Sequence, residues 1–155
     1  MNADPAKGLR VVQVSDCHVS SSPAANYRGI RAGSTLESLL PAIRNFQPDL
    51  LLLTGDVSED ATDESYERVS FMLSSFEAPI LALPGNHDAP PVMARYFPRG
   101  PWSGPLFHAQ GGWQFILLDS TRPGEICGFL DERHLESLGQ GLAQSEAEHV
   151  LVALH

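Results

Sequence analysis

Three short β-rich runs alternate with two helix-patterned stretches in the first half of the chain, and this alternation restricts the fold more than any other feature. Residues 9–15 (LRVVQVS), 50–54 (LLLLT) and 79–83 (PILAL) have the length and apolar content of strands. Between them, residues 34–46 place Leu36, Leu39, Leu40 and Ile43 on one helical face. Residues 62–76 do the same with Tyr66, Val69, Met72, Leu73 and Phe76. Switching between the two periods in this way gives βαβ units, hence a parallel sheet covered by helices. The first helix is predicted to open on a capping box, Ser34-x-x-Glu37, whose side chains satisfy free N–H groups of the first turn. Pro41 lies inside that pattern and is tolerated only near a helix start.

The texture changes after residue 90. Pro90, Pro91, Pro98, Pro101 and Pro105 punctuate a stretch with room for one short helix, residues 92–97. Two further runs, 106–110 and 113–118, flank Gly111-Gly112 and read as a hairpin with a glycine turn. Residues 131–142 pattern as a helix and 149–154 as a last strand. A strand of buried type at the end of a chain leaves one edge and one face uncovered, so the fold is expected to be incomplete at its C-terminal side and to self-associate through residues 150–154.

With 155 residues and no internal repeat, the chain is expected to form one domain over residues 9–155, preceded by a disordered N-terminus, residues 1–8. An apolar fraction of 43% with 19% charged residues is that of a soluble globular protein. No run approaches the ~20 apolar residues of a membrane span. The first eight residues lack the apolar core of a secretory signal. A cytoplasmic location follows as the expectation, with Cys17 and Cys127 kept as free thiols. The net charge of −9, with only 10 scattered Lys and Arg, argues against a nucleic-acid polymer as partner. A small anionic substrate needs bound cations to invert that sign locally.

Open α/β sheets deliver functional groups at the carboxyl ends of their strands. The first run is followed by Ser15-Asp16-Cys17-His18, the second by Gly55-Asp56, the third by Gly85-Asn86-His87-Asp88, and the last ends in His155. Each strand end therefore offers an oxygen or imidazole ligand. Asp16 and His18 are two apart, which on extended backbone turns both side chains to the same side. Taken singly, these blocks are ordinary turn signals; taken together, they place suitable ligands at successive strand ends. Mixed Asp, Asn and His donors suit Mn, Fe, Zn or Co better than Ca or Mg. Two such ions could activate a water and clamp a phosphoryl group.

The series Asp16-x-His18, Gly55-Asp56 and Gly85-Asn86-His87-Asp88 resembles the first three blocks of the calcineurin-like metallophosphoesterases. It resembles most their bacterial cyclic-nucleotide phosphodiesterase branch, through Leu118-Asp119-Ser120, Gly128-Phe129-Leu130 and a strand ending at His155 as well. The resemblance implies a metallophosphoesterase-type β-sandwich flanked by helices, in the α/β class. It assigns Asp16 and His18 to a first metal, Asp56 to a bridge, and Asn86 and His155 to a second metal. It makes His87 the catalytic imidazole and Asp88 the acceptor that orients it. It implies a small phosphodiester or nucleotide substrate such as cyclic AMP. The family pattern closes with a Gly-His-x-His block that this sequence does not contain. Weak metal binding and low activity are therefore expected of this chain, which reads as a cut enzyme or a degenerate family member. Monoester and diester substrates both fit the blocks.

Overall fold

The computed structural model describes residues 8–155, so the disorder expected of residues 1–8 concerns, apart from Gly8, residues outside that range. The described elements run β1 (Val11–Val14), α1 (Ala32–Phe46), β2 (Leu50–Thr54), α2 (Asp63–Leu73), β3 (Ile80–Leu83), α3 (Pro90–Tyr96), β4 (Leu106–Gln110), β5 (Trp113–Leu117), α4 (Glu132–Gln144) and β6 (His149–Ala153). They build two three-stranded sheets. In the first, β1, β2 and β3 lie side by side and parallel, as the βαβ pattern requires. In the second, β4 and β5 form the antiparallel hairpin and β6 adds in parallel to β5. Gly111 and Gly112 have φ of +58° and +81°, the paired positive values of a tight hairpin turn.

The leucine run of β2 explains the layering. Its side chains alternate between the two faces of the first sheet. Leu50 and Leu52 join Leu81, Leu83, Phe115 and Leu117 in a core between the sheets. Leu53 points the other way, into a core with Leu36 of α1, Tyr66, Val69 and Leu73 of α2, and Met93 of α3. The result is a sandwich of two sheets with helices on the outer face of the first. By contrast, α4 buries none of its residues, although its sequence is amphipathic.

Several local expectations are corrected. The capping box does not form: α1 begins two residues earlier, its N-cap is Arg31, and no side chain caps it. A Cβ on Gly33 would lie 2.8 Å from the Arg68 guanidinium, so tertiary packing against α2 governs this first turn. Pro41 stands well inside the helix rather than near its start. It is exposed, so water can satisfy the carbonyl its ring leaves unpaired. Leu39 is 48% exposed rather than buried with its stripe. The second helix, in contrast, is capped by Thr62, whose hydroxyl accepts from the Ser65 N–H at 3.3 Å.

Candidate metal centre

The loops after β1, β2 and β3 meet at the carboxyl end of the first sheet, and backbone hydrogen bonds fix them there. Asp16 N–H donates to the Gly55 carbonyl at 3.1 Å, and His18 N–H to the Asp56 carbonyl at 2.9 Å. Asp16, His18 and Asp56 all have positive φ (55°, 42° and 48°). Left-handed backbone at a non-glycine residue is uncommon and concentrates at functional sites. The expected extended segment is thus replaced: Asp16 and His18 are both left-handed, so strand alternation does not set where their side chains point.

Asp56 is the hub. Its Oδ1 accepts the His87 N–H at 3.0 Å. Its Oδ2 lies 3.7 Å from His18 Nε2 and 3.5 Å from His155 Nε2. Possible ligand atoms cluster as His18, Asp56 and His87 in one group and Asp16, Asp56 and His155 in a second, within 4.8 Å in each. Asp56 is common to both, the position of a bridging ligand. Asp16 falls beside His155 rather than with His18, which differs from the expected partition. Asn86 is exposed and lines two adjoining cavities, one with Asp16, His18 and Asp56 and the other with His155.

The hydrogen bonds around the imidazoles indicate a site shaped for cations. His18 Nδ1 lies 2.8 Å from Glu59 Oε2, and His155 Nδ1 lies 2.9 Å from the Thr54 carbonyl. Both partners are acceptors, so both Nδ1 atoms carry the proton. In the neutral rings each Nε2 then turns a lone pair toward the Asp56 carboxylate. Three acceptors facing one another are satisfied by a cation between them, and imidazole ligands are commonly oriented by this kind of second hydrogen bond. The donor set thus fits a divalent metal.

Two glycines make the geometry possible. A Cβ on Gly85 would lie 2.9 Å from the Asp56 Cγ and closer to its Oδ1 and N. A Cβ on Gly55 would collide with the His155 ring. Both glycines belong to the blocks recognised in the sequence.

Asp88 is the main departure. It was expected to orient His87. Instead its oxygens accept the N–H groups of Val57 (3.1 Å), Ser58 (2.9 Å) and Gly85 (2.9 Å) and the Tyr66 hydroxyl (3.0 Å). These donors occupy both oxygens and tie the second and third loops together. Burial pushes the Asp88 carboxyl upward, against the lowering by those N–H donors. Burial, and then the Asp88 charge, likewise pushes the Tyr66 hydroxyl well above its ordinary range. The acceptor beside His87 is Glu59, whose Oε2 lies 3.2 Å from His87 Nδ1. Glu59 thus serves His18 and His87 together. It was not singled out from the sequence, although it sits three residues after Asp56 in the same strand-end loop.

Tyr27 was also missed, because no motif surrounds it. Its ring stacks on His18 with centroids 4.1 Å apart and planes at 19°. Cys17, between Asp16 and His18, packs into the core; burial, then Asp88 and Asp16, raises its thiol to about 12. Both cysteines are free. The histidines outside the blocks have local partners: His108 with Gln110, His134 with Asp131, and His149 against Trp113. A larger cavity of about 890 Å³ between α4 and the second sheet has no titratable lining residue among the described residues, whereas the cavity of about 540 Å³ beside Asp56 is lined by Asp16, His18, Asp56 and His87.

Comparison with known proteins agrees with this architecture. The chain is 33% identical over 153 residues to a probable cyclic nucleotide phosphodiesterase of Synechococcus, covering 99% of this chain and 60% of that protein. It is 34% identical over 151 residues to the 3′,5′-cyclic adenosine monophosphate phosphodiesterase CpdA of Escherichia coli, covering 95% and 54%. It therefore spans little more than half the length of these relatives. A dimetal phosphatase from Danio rerio shares the fold with a TM-score of 0.74 at 16% identity, over 95% of this chain and 69% of that one. The calcineurin-like phosphoesterase family model matches residues 9–145, which take in β1 to α4 and every strand-end block except His155. With that match over most of its length, this chain belongs to the calcineurin-like phosphoesterase family.

Proposed function

We propose that this chain carries the metal centre of a phosphodiesterase that hydrolyses a cyclic nucleotide such as 3′,5′-cyclic AMP. Asp16, His18, Asp56, Asn86 and His155 hold two divalent ions, drawn from Mn, Fe, Zn and Co. The observation that carries the reading is that Asp56 Oδ2 lies within reach of both His18 Nε2 (3.7 Å) and His155 Nε2 (3.5 Å). The cyclic-nucleotide substrate is taken from the named activities of the relatives.

When bound, paired divalent ions polarise a phosphoryl group and lower the pKa of a water. The protein's own residues supply the rest. Glu59 holds the Nδ1 proton of His18 and so presents Nε2 as a ligand. The His87 N–H fixes Asp56 through Oδ1, leaving Oδ2 for the ions. The His87 ring, its Nδ1 held by Glu59, would give the Nε2 proton to the leaving oxygen as the ester P–O bond breaks, while the attacking water forms the new P–O bond and its released proton restores His87. Asp88 keeps the loops in register rather than touching the substrate. A cytoplasmic location is part of this reading; the free thiols Cys17 and Cys127, as a reducing compartment would keep them, support it.

The test pairs calorimetric titration with Mn(II) and hydrolysis of cyclic AMP and bis-p-nitrophenyl phosphate, for wild type and Asp56→Asn. Loss of both ions and of turnover in the variant supports the reading. Absence of diester turnover by the metal-loaded wild-type protein overturns it. Faster turnover of p-nitrophenyl phosphate than of its diester redirects it to a monoesterase.

A further inference from the structure

Resting on that reading, we infer that the turn Tyr27–Ile30 is the substrate-recognition element of the site: Arg28 pairs with the substrate phosphate, and an aliphatic wall beside it receives a nucleobase. The cavity of about 540 Å³ next to Asp56 has the size of a small-molecule site. One wall carries Asp16, His18, Asp56 and His87. The same cavity is also lined by large aliphatic side chains from three separate segments: Ile30 from the turn, Leu39 from α1 and Ile126 from the β5–α4 connection. These side chains are 56%, 48% and 84% exposed. Large aliphatic side chains from distant parts of the chain, left in water around one cavity, mark a surface awaiting an apolar ligand.

The turn is built to hold its charge in place. Tyr27 and Ile30 exchange two backbone hydrogen bonds, at 2.8 and 2.9 Å. Arg28 and Gly29 between them have φ of +49° and +90°. Such a turn favours Asn-Gly, so arginine at its first central position is held in a conformation that side chains rarely adopt. The Arg28 guanidinium lies 5.2 Å from the Tyr27 ring centroid, and the same ring stacks on His18. Among the described residues lining the cavity, Arg28 is the one Lys or Arg, in a chain of net charge −9. It is thus the permanent cation available to a phosphate that enters beside acidic groups, and guanidinium matches phosphate geometry.

The test measures equilibrium binding of adenosine 5′-monophosphate and ribose 5-phosphate, which differ only by the base, with and without Mn(II). Wild type is expected to bind the nucleotide about tenfold more tightly, since partial burial of the base on aliphatic side chains suffices for that factor. Ile30→Ser with Ile126→Ser removes this preference and leaves ribose 5-phosphate binding unchanged. Arg28→Gln weakens both ligands about tenfold, as expected for loss of one charge-assisted contact. These side chains are on the surface, so unchanged melting temperatures are expected. Equal binding of the two ligands by wild type, or wild-type binding by the variants, overturns the inference while diester turnover upholds the phosphodiesterase reading. If neither ligand binds and no diester is hydrolysed, that reading falls and the inference falls with it.

Discussion

The imidazole of His155 stands where a side chain at position 55 would begin: a Cβ on Gly55 would lie 2.7 Å from the His155 Cβ and closer still to the ring. Gly55 also has φ of +92°, a region that side chains rarely adopt. Gly55→Ala is therefore expected to cost about 1–2 kcal/mol for the backbone alone and to displace His155. Mn(II) affinity should fall at least about tenfold at one of two sites, read by calorimetry. An unchanged affinity would show that His155 is not a ligand.

Glu59 touches two imidazoles, His18 at 2.8 Å and His87 at 3.2 Å. Removing the carboxylate frees both rings and makes His18 a weaker ligand. Glu59→Ala is expected to lower Mn(II) affinity about 10–100-fold, the usual effect of losing such a partner. Glu59→Gln, which keeps an acceptor, should lose less. Equal behaviour of the two variants, both neutral at position 59, would show that the amide acceptor alone does not hold the rings and that the carboxylate charge is what counts.

Asp88 binds three backbone N–H groups and the Tyr66 hydroxyl, so its role is read as structural. Asp88→Asn is expected to lose about 2–3 kcal/mol, since both oxygens accept donors and the amide would turn an NH2 toward two of them, and to lower the melting temperature by about 5–10 °C. Tyr66→Phe should cost about 1 kcal/mol. A stable Asp88→Asn variant with abolished turnover would restore the role first expected from the sequence, that of orienting His87.

Asp60 supplies the pH dependence. Burial acts to raise its carboxyl, but the Ser21 N–H at 2.8 Å and the Thr62 hydroxyl at 2.9 Å hold it below the usual carboxylate range. A depressed folded-state pKa adds stability that is complete above the unfolded value, about 3.9, and fades as pH falls toward the folded value. Wild type should therefore exceed Asp60→Asn in stability by a constant margin between about pH 7 and 5, shrinking below about pH 4. Urea melts across that range test this. A margin that grows on acidification would reverse the sign and reject the assignment.

At the edge of the second sheet, β6 leaves Val150, Val152 and Leu154 exposed. An uncovered apolar edge strand invites pairing with another chain. Light scattering is expected to show association that rises with protein concentration and weakens in Val152→Lys. A monodisperse monomer at high concentration would count against it.

The order of elements, the parallel pairing of the first three strands and the hairpin at Gly111-Gly112 were legible because periodicity and turn chemistry are local. The strand-end blocks were legible for a related reason: a sheet brings the carboxyl ends of its strands together whatever the loops do. That much places Asp16, His18, Asp56, Asn86, His87 and His155 at one end of the fold.

The sequence by itself could not assign partners across loops. Asp88 is adjacent to His87 yet bonds to Val57, Ser58 and Gly85, whereas Glu59 reaches His87 from another loop. Which carboxylate meets which imidazole depends on left-handed residues such as Asp16, His18 and Asp56, and no periodicity encodes their φ. The start of α1 at Ala32, two residues before Ser34, was likewise not encoded in the local capping pattern. Residue types at strand ends specified the chemistry available; backbone hydrogen bonds between loops decided which atoms would share it, since partner choice is settled by packing in three dimensions.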